Sequence, residues 1–207
     1  MDTERIILAS ASPRRRELLA RIYPAFDVEP SPHEEPLRRS ENVPPGQWAQ
    51  ALAYYKARGV ADGHPGRWVL GADTIVVCAG RVLGKPRDVA DAREMLELQA
   101  RQVSEVLTGV CLLRRGDTEQ RLSQVETTRV WMHDDPQARE AYLQSGDWHA
   151  KAGAYGIQDV GDRLVERIEG SFSNVVGLPL ELVARLLQHV GLAARAMPGN
   201  AGGGPEA

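Results

Sequence analysis

The stretch Ile6-Ile7-Leu8-Ala9-Ser10-Ala11-Ser12-Pro13-Arg14-Arg15-Arg16-Glu17-Leu18-Leu19-Ala20-Arg21-Ile22 decides the fold. Its first four residues are a short apolar run, as in a strand buried on both faces. Ser10 to Pro13 interrupts that run. From Arg14 onward, Leu18, Leu19 and Ile22 recur at helical spacing. Ser12 stands where a helix N-cap is needed, and Pro13 suits the first helical position. The chain therefore opens as a strand feeding a helix.

The rest of the sequence repeats that alternation. Ala25 to Val28 reads as a short strand, 29–46 as a Pro-rich charged loop, and Gln47 to Arg58 as a helix. Trp68 to Ala72 is a second buried-strand candidate. Thr74–Cys78 and Arg81–Leu83 flank an Ala79-Gly80 turn, as in a hairpin. Asp88 to Gln99 is a helix with Asp88 as N-cap. Val103–Arg114 and Gln120–Met132 are two long strands around Arg115-Gly116-Asp117. Asp135-Pro136 opens a helix to about Gln144. A Gly-rich segment follows, then a helix from Pro179 to about Val190. Residues 194–207, rich in Gly, are expected to be a disordered tail, leaving 1–193 as a single domain. Strands mixed with helices give an α/β or α+β domain.

Composition narrows the function. The chain has 207 residues, a net charge of −3 and 26% charged residues, which argues against a general nucleic-acid binder. Cys78 and Cys111 lie in apolar stretches and read as buried free thiols of a reducing compartment. The sequence has no run of 18 apolar residues and no basic, apolar leader, so a cytoplasmic location away from membranes is expected. Lysine occurs at only three positions, 56, 85 and 151. Arg and Lys differ in geometry and hydration, so each of the three draws notice.

Several segments suit chemistry. Backbone N–H groups of the Ser10–Pro13 turn suit an anion, above all phosphate. Three arginines at the positive end of a helix are unfavourable by about 0.3–1 kcal/mol each unless an anion joins them. The alternative is a solvated basic turn paired with acids such as Glu17. Gly71-Ala72-Asp73-Thr74 puts a carboxylate where the apolar strand ends, placed to hold Mg²⁺ or take a proton from water, or else simply to make a turn. Gly84-Lys85-Pro86 pins a lysine at a bend, facing a phosphate or solvent. Lys56 lies on a helix near Trp48, Leu52 and Tyr55 and reads most simply as a surface lysine. Glu34-Glu35 either completes a metal site with Asp73 or is solvated loop charge. The five histidines have no metal-ligand spacing. Lys151-Ala152-Gly153-Ala154-Tyr155-Gly156-Ile157-Gln158 lets backbone approach a ligand, and the Gln158 amide suits a base edge. Ser173 or Asn174 either lines the same cleft or caps the last helix.

Taken together, LASASPRRRELL, GADTIVV, GKP, LTGV, KAGAYGIQ and IEGSFSNVVGLPL resemble the Maf family of nucleoside triphosphate pyrophosphatases, in the family's order from residue 8 to about 180. The resemblance implies an inosine-triphosphatase-like, HAM1-type α/β fold: an elongated mixed sheet flanked by helices, with a cleft between two lobes. It implies hydrolysis of dTTP and UTP to monophosphate and pyrophosphate with Mg²⁺ or another divalent cation, a homodimer, and a link to septum formation. Asp73 matches the catalytic base. Arg14, Thr74 and Gln158 match positions tied to substrate choice. Ser10, Arg15, Lys56 and Lys85 match the phosphate-contacting set, with Lys151 added to the substrate side. Glu35, beside Glu34, matches the glutamate of an acidic pair that with Asp73 holds the metal, and joins Asp73 and Lys85 in catalysis. The sequence departs from the pattern at Ser104, where His is usual, and at Ala150, where Asp is common. The rival readings are a non-catalytic nucleotide-binding regulator of division and a nucleotidyl- or phosphotransferase.

Overall fold

Residues 4–32, 42–157 and 163–195 are described in the computed structural model of the chain. Strand β1 (Ile6–Leu8) runs into helix α1 (Pro13–Ile22), as the opening stretch predicts. The Ser12 hydroxyl accepts from the Arg15 amide and Pro13 starts the helix, so two of the orphan positions at its end are settled locally. After β2 (Phe26–Val28), helix α2 (Pro45–Ala61) begins inside the expected loop and is longer than its apolar spacing suggested. Then come β3 (Trp68–Cys78), β4 (Arg81–Leu83), α3 (Val89–Arg101), β5 (Ser104–Arg115), β6 (Glu119–Met132) and α4 (Pro136–Ser145). Asp88 and Asp135 cap α3 and α4 with their carboxylates.

The Gly-rich stretch holds more structure than its composition suggested. It contains a 3₁₀ turn at Ala152–Ala154, strand β7 (Val165–Glu169) and a short helix α5 (Phe172–Val176), before α6 (Leu180–His189). Of the expected tail, Arg195 still donates its amide to the Ile22 carbonyl, and 196–207 lie outside the described residues. Cys78 and Cys111 are both buried free thiols, as expected. Among the described residues no helix is long and apolar enough to cross a membrane.

Among the described residues seven strands form one mixed sheet in the order β2-β1-β3-β5-β6-β7, with β4 also on β3. β1 pairs in parallel with β2 and β3, and the other pairs are antiparallel. On one face, Leu70 and Leu112 pack under α1 and α6 in one core. Further along the same strands, Val76 and Val106 pack under α3 and α4 in a second. Helix α2 covers the other face, and Gly71 and Gly109 explain how closely it lies. A Cβ on Gly71 would sit 2.2 Å from the Ala53 carbonyl oxygen, and one on Gly109 2.1 Å from that of Ala49.

Candidate active site

One strand, β3, carries the centre of the site. Its ladder with β5 is unbroken from Trp68 to Cys78, so Asp73 lies mid-strand, not at the strand end that its sequence suggested. Pairing on the opposite edge explains how a mid-strand carboxylate reaches a cleft. There β1 pairs with Val69 and Leu70, and β4 with Val76 to Cys78. Between these two partners the ladder leaves a notch at 71–75. Side chains alternate faces along a strand, so Asp73 points toward α2 and Thr74 toward the junction of the two cores. Both line one cavity of about 580 Å³, and a second of about 720 Å³ over the Ser10–Arg15 turn shares Arg14, Arg15, Lys56, Lys85 and Lys151 with it.

The cleft is a cationic site in an acidic chain. Among the described residues, Arg14, Arg15, Lys56, Lys85 and Lys151 line it, and Asp73 is the carboxylate that faces them. Such a concentration of one sign of charge in a concave site draws anions. The cations are not equivalent. Arg15 donates through Nε to the Gly177 carbonyl at 2.8 Å, through Nη2 to Thr74 Oγ1 at 3.0 Å, and through Nη1 to Ser10 Oγ at 3.5 Å. It therefore ties α1, β3 and the loop after α5 together. Lys56 Nζ lies 2.5 Å from Asp73 Oδ1. Arg14 and Lys85, in contrast, have no hydrogen bond or ion pair among the described residues and are open to a ligand. Ser10 is buried, and its hydroxyl accepts from the Ser12 amide, fixing the turn.

The Lys151 loop forms the far wall. Ala150 and Ala154 sit in the left-handed region (φ 57° and 62°), as does Gly153. Non-glycine residues there store local strain, which recurs at binding sites. The loop is held by Gln99, whose buried amide donates to Gly153 O at 2.7 Å and accepts from Ser104 Oγ at 3.2 Å. Ser104 thus serves a buried structural bond behind the loop. Tyr155 also lines the cleft, with its hydroxyl buried and lacking a partner among the described residues. Burial pushes the Tyr142 phenol up to about 12 and the Tyr155 phenol higher still, so both remain protonated donors at neutral pH.

The fold thus gathers Ser10, Arg14, Arg15, Lys56, Asp73, Thr74, Lys85 and Lys151 around one cleft. Glu34, Glu35 and Gln158 lie outside the described residues. Lys56, which reads from its helix alone as a surface lysine, is the partner of Asp73. Ser173 is a cap: its hydroxyl accepts from the Leu180 amide at 2.9 Å. Asn174 is fully buried beneath the cleft, and Val175, Val176 and Gly177 form the wall instead. Thr108, which touches Thr74, carries no signal in the sequence beyond its place in LTGV. Among the described residues there is no group of three or more His, Cys, Asp or Glu side chains able to hold a metal.

Comparison with known proteins points the same way. The pattern of the Maf-like protein family matches residues 5–190. A dTTP/UTP pyrophosphatase of Moorella thermoacetica is 46% identical over 188 residues, covering 91% of this chain and 96% of that protein. One of Deinococcus radiodurans is 43% identical over 191 residues, covering 92% and 95%. The solved structure of a HAM1 protein from Coxiella burnetii matches with a TM-score of 0.50 at 17% identity, over 90% of this chain and 99% of that one. That likeness concerns the fold, and it agrees with the HAM1-type mixed sheet expected from the motifs.

Proposed function

Since this chain belongs to the Maf-like family, we propose that it is a nucleoside triphosphate pyrophosphatase, hydrolysing dTTP and UTP to the nucleoside monophosphate and pyrophosphate. The observation that carries this reading is the pairing, among the described residues, of one buried carboxylate, Asp73, with five cations in a single cleft. A triphosphate is the ligand class that uses such an excess of positive charge, and a carboxylate among those cations is the group that activates water.

In this reading Arg14 and Lys85 meet phosphate oxygens, and Lys56 stands between Asp73 and the phosphates. A water beside Asp73 attacks the α-phosphorus. Its oxygen forms the new P–O bond while Asp73 takes the proton. The bond from the α-phosphorus to the bridging oxygen breaks, and pyrophosphate leaves with that electron pair. Cations fixed before the reaction stabilise the charge that develops on the leaving group.

Mg²⁺ belongs to the proposal. Asp73 is a hard oxygen donor of the kind Mg²⁺ uses, and this ion is held by one or two carboxylates together with phosphates and water. The described residues fit such a site through Asp73, with Glu35 as the expected second donor. Bound there, the ion supplies charge neutralisation at the phosphates. The cytoplasmic location and the homodimer are likewise part of the proposal, on the family resemblance.

The test is to incubate the protein with dTTP, UTP, CTP and 7-methyl-GTP plus Mg²⁺ and to quantify pyrophosphate and monophosphate. Release from dTTP and UTP is expected. Nucleotide binding without any release would instead identify a regulator, and a stoichiometric transfer product would identify a transferase.

A further inference from the structure

Thr74 and Thr108 face each other across the β3–β5 ladder, and their hydroxyl oxygens are 2.9 Å apart. Thr108 is fully buried between the two cores and does not line the cleft. Its hydroxyl lies 3.3 Å from the Asn174 carbonyl, which can only accept. A hydroxyl has one proton. With the Thr108 proton on Asn174, the Thr74–Thr108 bond must use the proton of Thr74. Arg15 Nη2 then donates to Thr74, occupying one lone pair and leaving one. In the reverse polarity Thr108 donates to Thr74, and the Thr74 proton goes to the Gly177 carbonyl at 3.5 Å. That contact is the longer, so the first polarity is favoured. In the first polarity the proton of Thr74 is spent on Thr108 and one of its lone pairs stays open to a ligand; in the reverse polarity Thr108 and Arg15 would fill both lone pairs.

The acceptor at the end of this chain is the backbone carbonyl of Asn174, which also takes the Gly177 amide at 3.0 Å, and the Asn174 side chain anchors the residue. Asn174 Nδ2 donates to Val106 O at 2.9 Å and to Thr128 Oγ1 at 3.0 Å. Thr128 in turn bonds Ser171 through both its carbonyl and its amide. Turning the side-chain amide over would set its oxygen against the Val106 carbonyl, so Nδ2 faces Val106 and Thr128, while Oδ1 has no partner among the described residues. Three buried or half-buried hydrogen bonds, Thr128 to Asn174, Asn174 to Thr108 and Thr108 to Thr74, thus lead from β6 to the wall of the cleft.

We propose that Thr108 is a positioning residue: by committing the Thr74 proton it makes Thr74 an acceptor toward the nucleoside, so this wall selects a ligand N–H or O–H. The inference rests on the reading of the cleft as a nucleoside triphosphate site. It divides that cleft by chemistry. A lone pair repels phosphate oxygens, which belong by Arg14 and Lys85, and it welcomes a nucleoside donor. Uracil and thymine offer an N3–H on their pairing edge, where cytosine offers a lone pair. The 3′-hydroxyl of the sugar is the other source of a donor.

Binding is the readout, because it does not depend on turnover. Non-hydrolysable α,β-imido analogues of dUTP, dCTP and 2′,3′-dideoxy-UTP are titrated into the full chain by calorimetry, for the native protein, Thr108→Val and Thr108→Ser. The native protein is expected to favour dUTP over dCTP, or over the dideoxy analogue, by about tenfold. The first preference assigns the donor to the base and the second to the sugar. Thr108→Val frees the Thr74 proton and loses most of that preference, whereas Thr108→Ser, which keeps the hydroxyl, retains it. If the valine variant does not fold, Thr108→Cys, with its weak S–H donor, carries the same expectation. A valine or cysteine variant that keeps the native preference overturns the inference. So does a serine variant that loses it, since packing alone would then be at work. Native protein that binds the analogues yet releases no pyrophosphate from dTTP or UTP defeats the pyrophosphatase reading and leaves this one to be judged on binding. Native protein that binds none of them defeats both.

Discussion

Lys56 Nζ and Asp73 Oδ1 lie 2.5 Å apart, joining helix α2 to the centre of β3 inside the cleft. The two groups can meet because Gly71 and Gly109 let the helix lie close on the sheet. It puts a cation on the carboxylate that the proposed reaction uses as its base. Asp73→Asn keeps the shape and removes the basic oxygen. Turnover is expected to fall by about 10²–10⁴, the usual worth of a general base. Pyrophosphate release measured beside circular dichroism checks it, and near-native turnover would remove Asp73 from the chemistry.

Lys85 tests whether a compact ammonium matters at the bend. It stands between Gly84 and Pro86, and the Gly84 carbonyl accepts from the Gly153 amide at 3.0 Å, which locks the bend to the Lys151 loop. Arg keeps the charge but is planar and longer. Lys85→Arg is expected to lower kcat severalfold. Steady-state kinetics with UTP decide, and unchanged constants would mean that charge alone suffices.

Gly109→Ala probes the seat of α2. The added Cβ would meet the Ala49 carbonyl oxygen at 2.1 Å and its carbon at 2.3 Å, both backbone atoms that cannot rotate aside. Overpacking of this kind costs about 1–3 kcal/mol or more. Urea denaturation should show a lower midpoint, and turnover should drop as well, because the helix that lifts carries Lys56.

Ala150 adopts φ 57°, a conformation that costs an ordinary L-residue about 1–2 kcal/mol and that Asn or Asp tolerates better. Ala150→Asn is expected to raise stability by about 0.5–1 kcal/mol, seen as a higher Tm. A lower Tm would show that the loop holds Ala150 there at no cost.

Asp27 gives the acid limb of stability. Hydrogen bonds from Arg5 and Arg67 hold its carboxyl at about 2, below the ordinary 3.8. A depressed carboxyl stabilises the fold above the ordinary value, and that contribution is lost as pH falls through the folded value. The stability difference between the native protein and Asp27→Asn should therefore be constant near neutrality and shrink between pH 4 and pH 2. The pair is exposed, so added salt should also reduce it. A difference that does not change with pH would place the effect of Asp27 in packing.

Much of this molecule can be read from local order. The strand–cap–helix opening, the Asp88 and Asp135 caps, the two long strands and the last helix follow from periodicity and capping residues close in sequence. So do several of the residues that gather at the cleft, such as Ser10, Arg14 and Lys85, because each stands beside a Gly or Pro bend, whereas Lys56 lies mid-helix and is drawn to the site only by Asp73. Other features are not visible in any window. The stretch Trp68–Cys78 reads as two pieces because polar Asp73 and Thr74 interrupt it. It is one strand because β5 supplies partners along its whole length. The helix α5 and strand β7 lie in a stretch too rich in small residues to show a period.

Sequence by itself thus determined the class of fold, the order of its elements, the family and the identity of the polar residues at the cleft, because these depend on neighbours a few positions apart. Tertiary structure alone decided what each of those residues is free to do. Arg15 is committed to Thr74 and Gly177, 59 and 162 positions away, while Arg14 next to it stays open to a ligand. Hydrogen-bond donors and protons are limited in number, and which of them a ligand can use depends on partners that only folding brings within 3 Å or so.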